Sequence, residues 1–273
     1  MVATERMAEV LRDKISTDIT YLSVGANIAV STPVITDTLL DYEIDRNTVS
    51  STNTDTDRKV IFQHIFGVDE ANGFACKEVA LFEGTKTALE DGEVSTDWTA
   101  TGDAAVTTDS TIKQIGTNSI KTTLTNSGGT GTITKTTSIG DISAITGTTT
   151  TPTGGSIHLK IYPDTLANMT KIEYRIGSSS SDYGSASVTL ASLTEDTWYG
   201  WNIDMTDLTI TGSPSWAAVD YQAIIVTETG NCILYMDDVW VSKNACSRNT
   251  VPTLNKTNLY ELIYDTTVTV TPK

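Results

Sequence analysis

The stretch A-N-G-F-A-C-K-E-V-A-L-F-E, residues 71–83, decides how the chain is divided. Its Asn-Gly turn leads into a short β-rich run at 76–82 that lacks the apolar period of a helix. In a small β domain a partner strand should follow at once, but residues 87–243 have a different character. The best candidate partner is 259–270, near the C-terminus. We therefore predict one domain that is interrupted after Glu83 and completed by the last part of the chain.

The composition favours an all-β, mainly antiparallel protein. Thr and Ser occur in almost every segment, and β-branched and aromatic residues mark the apolar runs. The only convincing helix is 4–15, where Met7, Val10 and Leu11 lie on one side. In the remainder of the N-terminal part we expect strands and a loop at these positions: strands 19–24, 40–46, 48–51 and 59–66, and a loop 26–40.

The charge and the cysteines exclude several classes of protein. With 34 acidic and 18 basic residues the net charge is −16, and no basic cluster is visible, so we expect no nucleic-acid partner. No signal peptide is evident and no run approaches ~20 apolar residues, so we expect no membrane insertion. The three cysteines form no CxxC pair. We expect Cys76 and Cys232 to be small buried hydrophobes.

Catalysis is not expected. Acidic pairs that could serve a glycosidase are plentiful, but nothing singles out one pair. The chain has two His and neither a G-x-S-x-G elbow nor a phosphate-binding Gly loop. The sequence therefore predicts a protein that is not an enzyme.

The N-terminal motifs follow a characteristic order. After the charged helix come Y-L-S-V-G (21–25), T-D-T-L (36–39), E-I-D-R (43–46), E-A-N-G (70–73) and K-E-V-A-L-F (77–82). This order resembles a family of small virion proteins of tailed viruses, associated with tail fibres or baseplates. The Thr- and Val-rich run at 258–271 is similar to that family's final strand. The resemblance covers roughly residues 4–83 and 247–273, with Ala80 where the family usually has Gly.

The resemblance implies a virion structural protein of the tail fibre, baseplate or capsid surface, assembled in the host cytoplasm. Residues 1–86 and 244–273 would form a discontinuous domain that attaches to other virion proteins. The amphipathic helix and the C-terminal strand expose more apolar surface than so small a domain covers alone. We therefore expect a homo-oligomer, a trimer first and a pentamer second.

The inserted segment, 87–243, alternates apolar and polar residues with period two. Alternation of this kind, with turn residues between the runs, predicts a β-sandwich. Residues 128–155 are rich in Thr and Gly, and we expect a long loop or irregular edge strands there. The apolar positions that define the expected strands are Ile157, Leu159 and Ile161; Ile172, Tyr174 and Ile176; Val188 and Leu190; and the runs 198–203, 221–226 and 232–241.

The ends of this segment carry a second resemblance. The motifs L-E-D-G (89–92), G-T-N-S-I-K (116–121) and L-Y-M-D-D-V-W (234–240) resemble carbohydrate-binding modules of the β-jelly-roll type. The resemblance implies that the first and last strands lie side by side and that acids on them hold a structural Ca²⁺. By position these acids are Glu90 and Asp238, with Asp91 and Asp237 as neighbours. The alternative is a turn at 90–92 and a strand-end pair of aspartates without a metal.

Aromatic side chains are candidates for a glycan-binding surface, because a flat ring stacks on the C–H groups of a pyranose. We expect most of them to fill the core, including Trp240. Tyr183 and Trp216, in Ser-, Gly- and Pro-containing segments, are the expected exposed rings and the predicted glycan-binding residues. The acidic chain favours neutral sugars or a contact bridged by a cation. The alternative function is a free-standing glycan-binding module or an accessory domain of a polysaccharide-degrading system.

Overall fold

The computed structural model describes residues 2–25, 40, 43–54, 59–67, 75–84, 86–125, 128–255 and 262–269. The predicted loop at 26–40 and the turn at 71–73 lie almost entirely outside these residues. The described chain is mainly antiparallel β-sheet with few helices, which confirms the predicted fold class. It forms two compact units: Met1–Thr85 with Lys243–Lys273, called the split unit, and Lys86–Ser242, called the inserted unit.

The elements are as follows in chain order. The first part contains α1 (Val2–Asp18), β1 (Ile19–Gly25), β2 (Glu43–Thr48), β3 (Ser51–Thr54), β4 (Lys59–Phe66) and β5 (Ala75–Glu83). The inserted unit contains β6 (Thr87–Glu90), β7 (Trp98–Gly102), β8 (Ala104–Asp109), β9 (Ser119–Leu124), β10 (Thr130–Lys135), α2 (Ser143–Thr146), β11 (Ser156–Asp164), β12 (Met169–Ser179), β13 (Asp182–Ser187), β14 (Tyr199–Asp204), β15 (Thr209–Thr211), β16 (Tyr221–Glu228) and β17 (Cys232–Ser242). The chain then returns to the split unit with β18 (Ala245–Asn255) and β19 (Leu262–Thr269).

The split unit has a four-stranded sheet, β18-β5-β1-β2, and a three-stranded sheet, β19-β4-β3. The prediction that 259–270 pairs with the 76–82 strand is wrong. Both edges of β5 are occupied, by β1, where Leu22 lies opposite Leu81, and by β18, where Ala245 lies opposite Phe82. The C-terminal strand β19 instead pairs with β4 along its whole length.

The core of the split unit follows the alternation of β4. Val60, Phe62 and Phe66 are fully buried on one face, and Ile15 of α1 packs against their cluster. On the same face His64 is buried and places Nδ1 2.7 Å from the Thr48 carbonyl oxygen.

The chain leaves and re-enters the split unit at adjacent points. Phe82, at the end of β5, pairs with Ala245, at the start of β18. Next to this pair, Lys243 Nζ lies 2.7 Å from Glu83 Oε1. Only a short connection is therefore needed to close the split unit without the inserted segment.

The inserted unit is a β-sandwich with one core between two sheets. One sheet has the order β15-β13-β12-β16-β10-β7, and the other has the order β14-β11-β17-β9-β8, with β6 paired to β17. The alternating positions predicted on β11 and β12 are buried in this core, and Cys232 is buried there as a free thiol. In the described part of the chain, no helix is both long and apolar enough to span a membrane.

We expected a long loop or irregular edge strands within 128–155, but the structure has an interior strand there, β10. It lies inside the six-stranded sheet, between β16 and β7, and Ile133 is fully buried. Its sequence, T-G-T-I-T-K, does not predict an interior strand, because it contains only one large apolar residue. At Gly131 a Cβ would come 2.8 Å from the Leu124 side chain, so the core reaches the backbone there.

Replacing residues 86–242 with a short Gly/Ser linker should leave a folded split unit, because the β5–β18 pairing remains intact. The excised residues 86–242 should also fold, since their core is their own. Cooperative thermal unfolding and dispersed amide NMR spectra would be measured for both pieces. If neither piece folds, the two units are not separable domains.

Candidate functional site

The outer face of the six-stranded sheet carries an apolar and aromatic cluster. On β16, Ile224 and Val226 point into the sandwich core, so alternation places Tyr221, Ala223 and Ile225 on the opposite face. Those three residues are buried and form a separate cluster with Tyr183 of β13 packed against it. We call Tyr183, Tyr221, Ala223 and Ile225, with Gly177, Arg175, Glu173 and Lys171 of β12, the tyrosine face.

A glycine separates the two tyrosines. Gly177 pairs with Tyr183 on one side and with Tyr221 on the other, and the two ring centroids are 6.1 Å apart at 41°. A Cβ at position 177 would lie 2.9 Å from Tyr183 Cβ and 2.2 Å from the Asp182 carbonyl oxygen. Because position 177 carries no side chain, the two rings lie beside each other as an aromatic pair on the sheet surface.

Charged groups lie beside the two tyrosine rings. The Arg175 guanidinium carbon is 4.5 Å from the Tyr183 ring centroid, and Arg175 Nε donates to Glu173 Oε1. Lys171 forms a second ion pair with Glu173. Burial of Glu173 opposes its ionisation, but hydrogen bonds from Lys171 and Arg175 outweigh burial and lower its pKa. Burial raises the pKa of Tyr221, and Arg175 partly opposes that rise.

The turn before Tyr183 is fixed by hydrogen bonds. Asp182 accepts them from Ser213 N at 2.8 Å, Ser179 Oγ at 2.9 Å and Ser181 Oγ at 3.1 Å. These bonds, the Ser213 amide first, lower the pKa of Asp182. Tyr183 was expected to be exposed and is half-buried, and this bonding holds its hairpin against the segment that follows β15.

Trp216, the second predicted glycan-binding residue, does not lie at the surface. Its side chain is fully buried in the sandwich core, so the expectation of an exposed ring is wrong. Two backbone hydrogen bonds hold it there: Trp216 N donates to the Thr149 carbonyl, and Ile142 N donates to the Trp216 carbonyl. The Ser-Pro segment before it indicates a loop but does not show that the loop turns its tryptophan inward.

Aromatic rings on the outer face of the other sheet are arranged differently. Tyr162 lies 5.5 Å from Tyr235 at 86° and 5.5 Å from Trp198 at 60°. Tyr235 is 3% exposed, and Lys121 Nζ lies 5.4 Å from its ring centroid. Tyr162 and Trp198 are half-buried, but no arginine–carboxylate pair accompanies them among the described residues.

The carboxylates of the predicted metal ligands Glu90 and Asp238 form hydrogen bonds and ion pairs with other side chains. Strands β6 and β17 lie side by side, with Glu90 opposite Val239. Glu90 Oε2 accepts hydrogen bonds from Trp98 Nε1 at 2.9 Å and Lys135 Nζ at 2.7 Å. Asp238 Oδ2 is 3.0 Å from Lys160 Nζ. This pair does not fit a calcium site.

Asp91 is also a poor ligand, because it is exposed and accepts a hydrogen bond from Glu93 N. Asp237, the other predicted neighbour, is different. It is fully buried, and its Oδ2 accepts from Gln114 N at 2.8 Å and Ile115 N at 3.0 Å. Its Oδ1 has no hydrogen-bond partner among the described residues. Burial raises the pKa of Asp237 to about 6 although both amide bonds favour its ionised form.

Other oxygens surround this carboxylate. A Cβ at Gly92 would lie 2.7 Å from Asp237 Oδ1 and 3.2 Å from the Asn118 carbonyl oxygen. Gln114 Oε1 is also buried without a partner in the described chain. No group of three or more His, Cys, Asp or Glu side chains there could hold a metal. Carboxylate, carbonyl and amide oxygens are the ligand types that Ca²⁺ takes in proteins, about six to eight to an ion.

A bulge explains why Asp237 rather than Asp238 occupies this position. On β11 Lys160 lies opposite Asp237 and His158 lies opposite Trp240, so β17 has an extra residue between these pairs. Asp238 adopts a φ of 50°, in the left-handed region. The sequence contains both aspartates but no signal that sets the bulge.

No protein-family model and no curated protein sequence matches the chain. The structure is similar to a family 11 carbohydrate-binding module from Clostridium thermocellum solved with a β-1,3-1,4-mixed-linked tetrasaccharide. That match has 14% identity, 58% coverage of this chain, 95% of the other and a TM-score of 0.43. A family 30 module of a cellulosomal cellulase from the same organism matches at 9% identity over 59% and 98% of the two chains, with a TM-score of 0.45. At these scores, the nature of any ligand must be argued from this chain's own residues.

Proposed function

We propose that the inserted unit binds a polysaccharide, without catalysis, through the tyrosine face. The observation that carries this proposal is the tyrosine pair beside Gly177, with a guanidinium and a carboxylate next to it. Ring faces provide stacking surface for a sugar, and planar charged groups donate to and accept from its hydroxyls. The hydrogen-bonded turn at Asp182 holds Tyr183 in place before a ligand arrives, which lowers the entropic cost of binding.

Tyr183→Ala should weaken polysaccharide binding about tenfold, because it removes the half-buried stacking ring. Tyr221→Ala should weaken binding less, because Tyr221 is buried and acts through its packing against Tyr183. Tyr162→Ala, on the outer face of the other sheet, is the matched control and should bind like the wild type. A glycan array followed by affinity electrophoresis would measure all three. Loss of binding in Tyr162→Ala alone would place the site on the other sheet.

We further propose that the split unit attaches this binding domain to a virion. Support comes from the ordered N-terminal motifs, two of which lie side by side in β1 and β5, where Leu22 is opposite Leu81. Val10 and Leu11 of α1 are 57% and 45% exposed, which favours self-association through the helix as a trimer or pentamer. On such a particle, many weak glycan sites would act together and gain avidity.

The virion proposal predicts that the protein co-sediments with purified particles in a fixed copy number, a multiple of the oligomer. Quantitative mass spectrometry of gradient-purified particles would measure that ratio. A protein that stays in the supernatant and still binds glycan would instead be a free-standing module.

We also propose that Asp237, rather than the Glu90–Asp238 pair, holds a structural Ca²⁺. With Gln114 and Asn118 it would supply side-chain and carbonyl oxygens, and the cation would offset the buried charge of its carboxylate. The bound ion would tie the loop before β9 to β17.

Chelation with EDTA should therefore lower the melting temperature of the wild-type protein by roughly 5–10 °C. Asp237→Asn should abolish this difference, whereas Asp238→Asn should retain it. Differential scanning calorimetry with and without added Ca²⁺ would measure both variants. An EDTA-insensitive wild-type melt, or a calcium response that survives in Asp237→Asn and vanishes in Asp238→Asn, would refute the assignment.

A further inference from the structure

We propose that the polysaccharide bound by the tyrosine face is anionic, with uronic acid residues whose carboxylates are held by Arg175. This inference rests on the proposed function and names the class of sugar. The charge of −16 on the whole chain argues the other way, towards neutral sugars. The charges close to the site determine which ligand is attracted, because salt at physiological concentration screens interactions between exposed charges more than about 8 Å apart.

The tyrosine face has a net positive charge. Its charged residues are Lys171, Glu173 and Arg175, so two cations share one carboxylate. Neighbouring strands add uncharged residues at the positions that alternation places on this face. By register these are Thr99 and Thr101 of β7, Thr132 and Thr134 of β10, Ser185 of β13 and Thr209 and Thr211 of β15.

The nearest acids in sequence do not cancel this charge. Asp182 and Asp220 immediately precede Tyr183 and Tyr221, but among the described residues neither forms an ion pair with Arg175 or Lys171. The Asp182 carboxylate is already held by Ser213 N and by two serine hydroxyls. The tyrosine face is therefore a small cationic area on an acidic protein.

The cations are also the outermost charges. The side chain of Glu173 is 8% exposed, whereas those of Arg175 and Lys171 are 28% and 46% exposed. A ligand that approaches the sheet therefore meets the guanidinium and the ammonium before the carboxylate. An anionic group gains from this order, and a neutral sugar does not.

Arg175 has donors available for such a group. Its Nε is used by Glu173 and its guanidinium also hydrogen-bonds the Tyr221 hydroxyl, but no other carboxylate in the described chain forms an ion pair with it. The remaining guanidinium N–H groups form a planar fork that matches both oxygens of a carboxylate. Arg175 and Gly177 are two residues apart on one strand, about 7 Å, so a sugar above the tyrosine pair lies within reach of that fork.

The test uses matched sugars. Oligosaccharides of glucuronate, galacturonate and mannuronate are each compared with their carboxyl-reduced forms, in which every carboxylate has become a hydroxymethyl group. Calorimetry on the full-length protein should show at least one acidic oligosaccharide binding about tenfold or more tightly than its reduced partner. Raising the salt concentration should reduce that preference.

Arg175→Gln should remove the preference for the acidic form. Lys121→Gln, which deletes one positive charge on the outer face of the other sheet, should retain it. Melting temperatures would show that both variants are folded. The salt dependence tests the inference in the wild-type protein even if Arg175→Gln fails to fold.

The outcomes separate the two proposals. Equal binding of acidic and reduced forms, or preference for the reduced form, overturns the anionic ligand and leaves the glycan-binding function intact. Unchanged preference in a folded Arg175→Gln variant overturns the role of Arg175. If no member of the panel and no glycan on an array binds, both the inference and the proposed function are overturned.

Discussion

Strand β16 buries side chains on both of its faces, and the candidate site depends on this constraint. Its inward residues join the sandwich core, while Tyr221, Ala223 and Ile225 lie on the outer side. Because these outer residues are apolar, they need cover. Tyr183 of β13 packs against them, and Arg175 stacks on Tyr183. The cover consists of aromatic and charged side chains at the surface, which are the groups that can recognise a sugar.

The net charge of the whole chain and the net charge of the tyrosine face have opposite signs. The chain is strongly acidic, which discourages contact with polyanions in general. At the tyrosine face, Lys171 and Arg175 outnumber Glu173. An acidic body with a small cationic site would repel polyanions elsewhere and admit them in one place. The tyrosine face has a positive net charge because two cations share one carboxylate there. The net charge of the whole chain does not reveal this local excess.

Alternation of apolar residues predicted most strands of both units and the buried faces of β4, β11 and β12, because burial on one side of a strand leaves a direct trace in sequence. The site was predicted less well. Tyr183 was identified from its turn residues, but its proximity to Tyr221 depends on both strands pairing with Gly177, a contact between distant segments. The exposure predicted for Trp216 was wrong because an inward-turning loop sets its position. The burial of Asp237 depends on a β-bulge, and neither feature leaves a periodic signal.

The central claim is that a sugar ligand lies on the outer face of the six-stranded sheet. Mapping chemical-shift changes on the isotope-labelled full-length protein during titration with a bound oligosaccharide tests this claim most directly. The account predicts that the largest amide shifts cluster on β12, β13 and β16, around Gly177. Shifts concentrated on β11, β14 and β17, or spread evenly over both sheets, would contradict it.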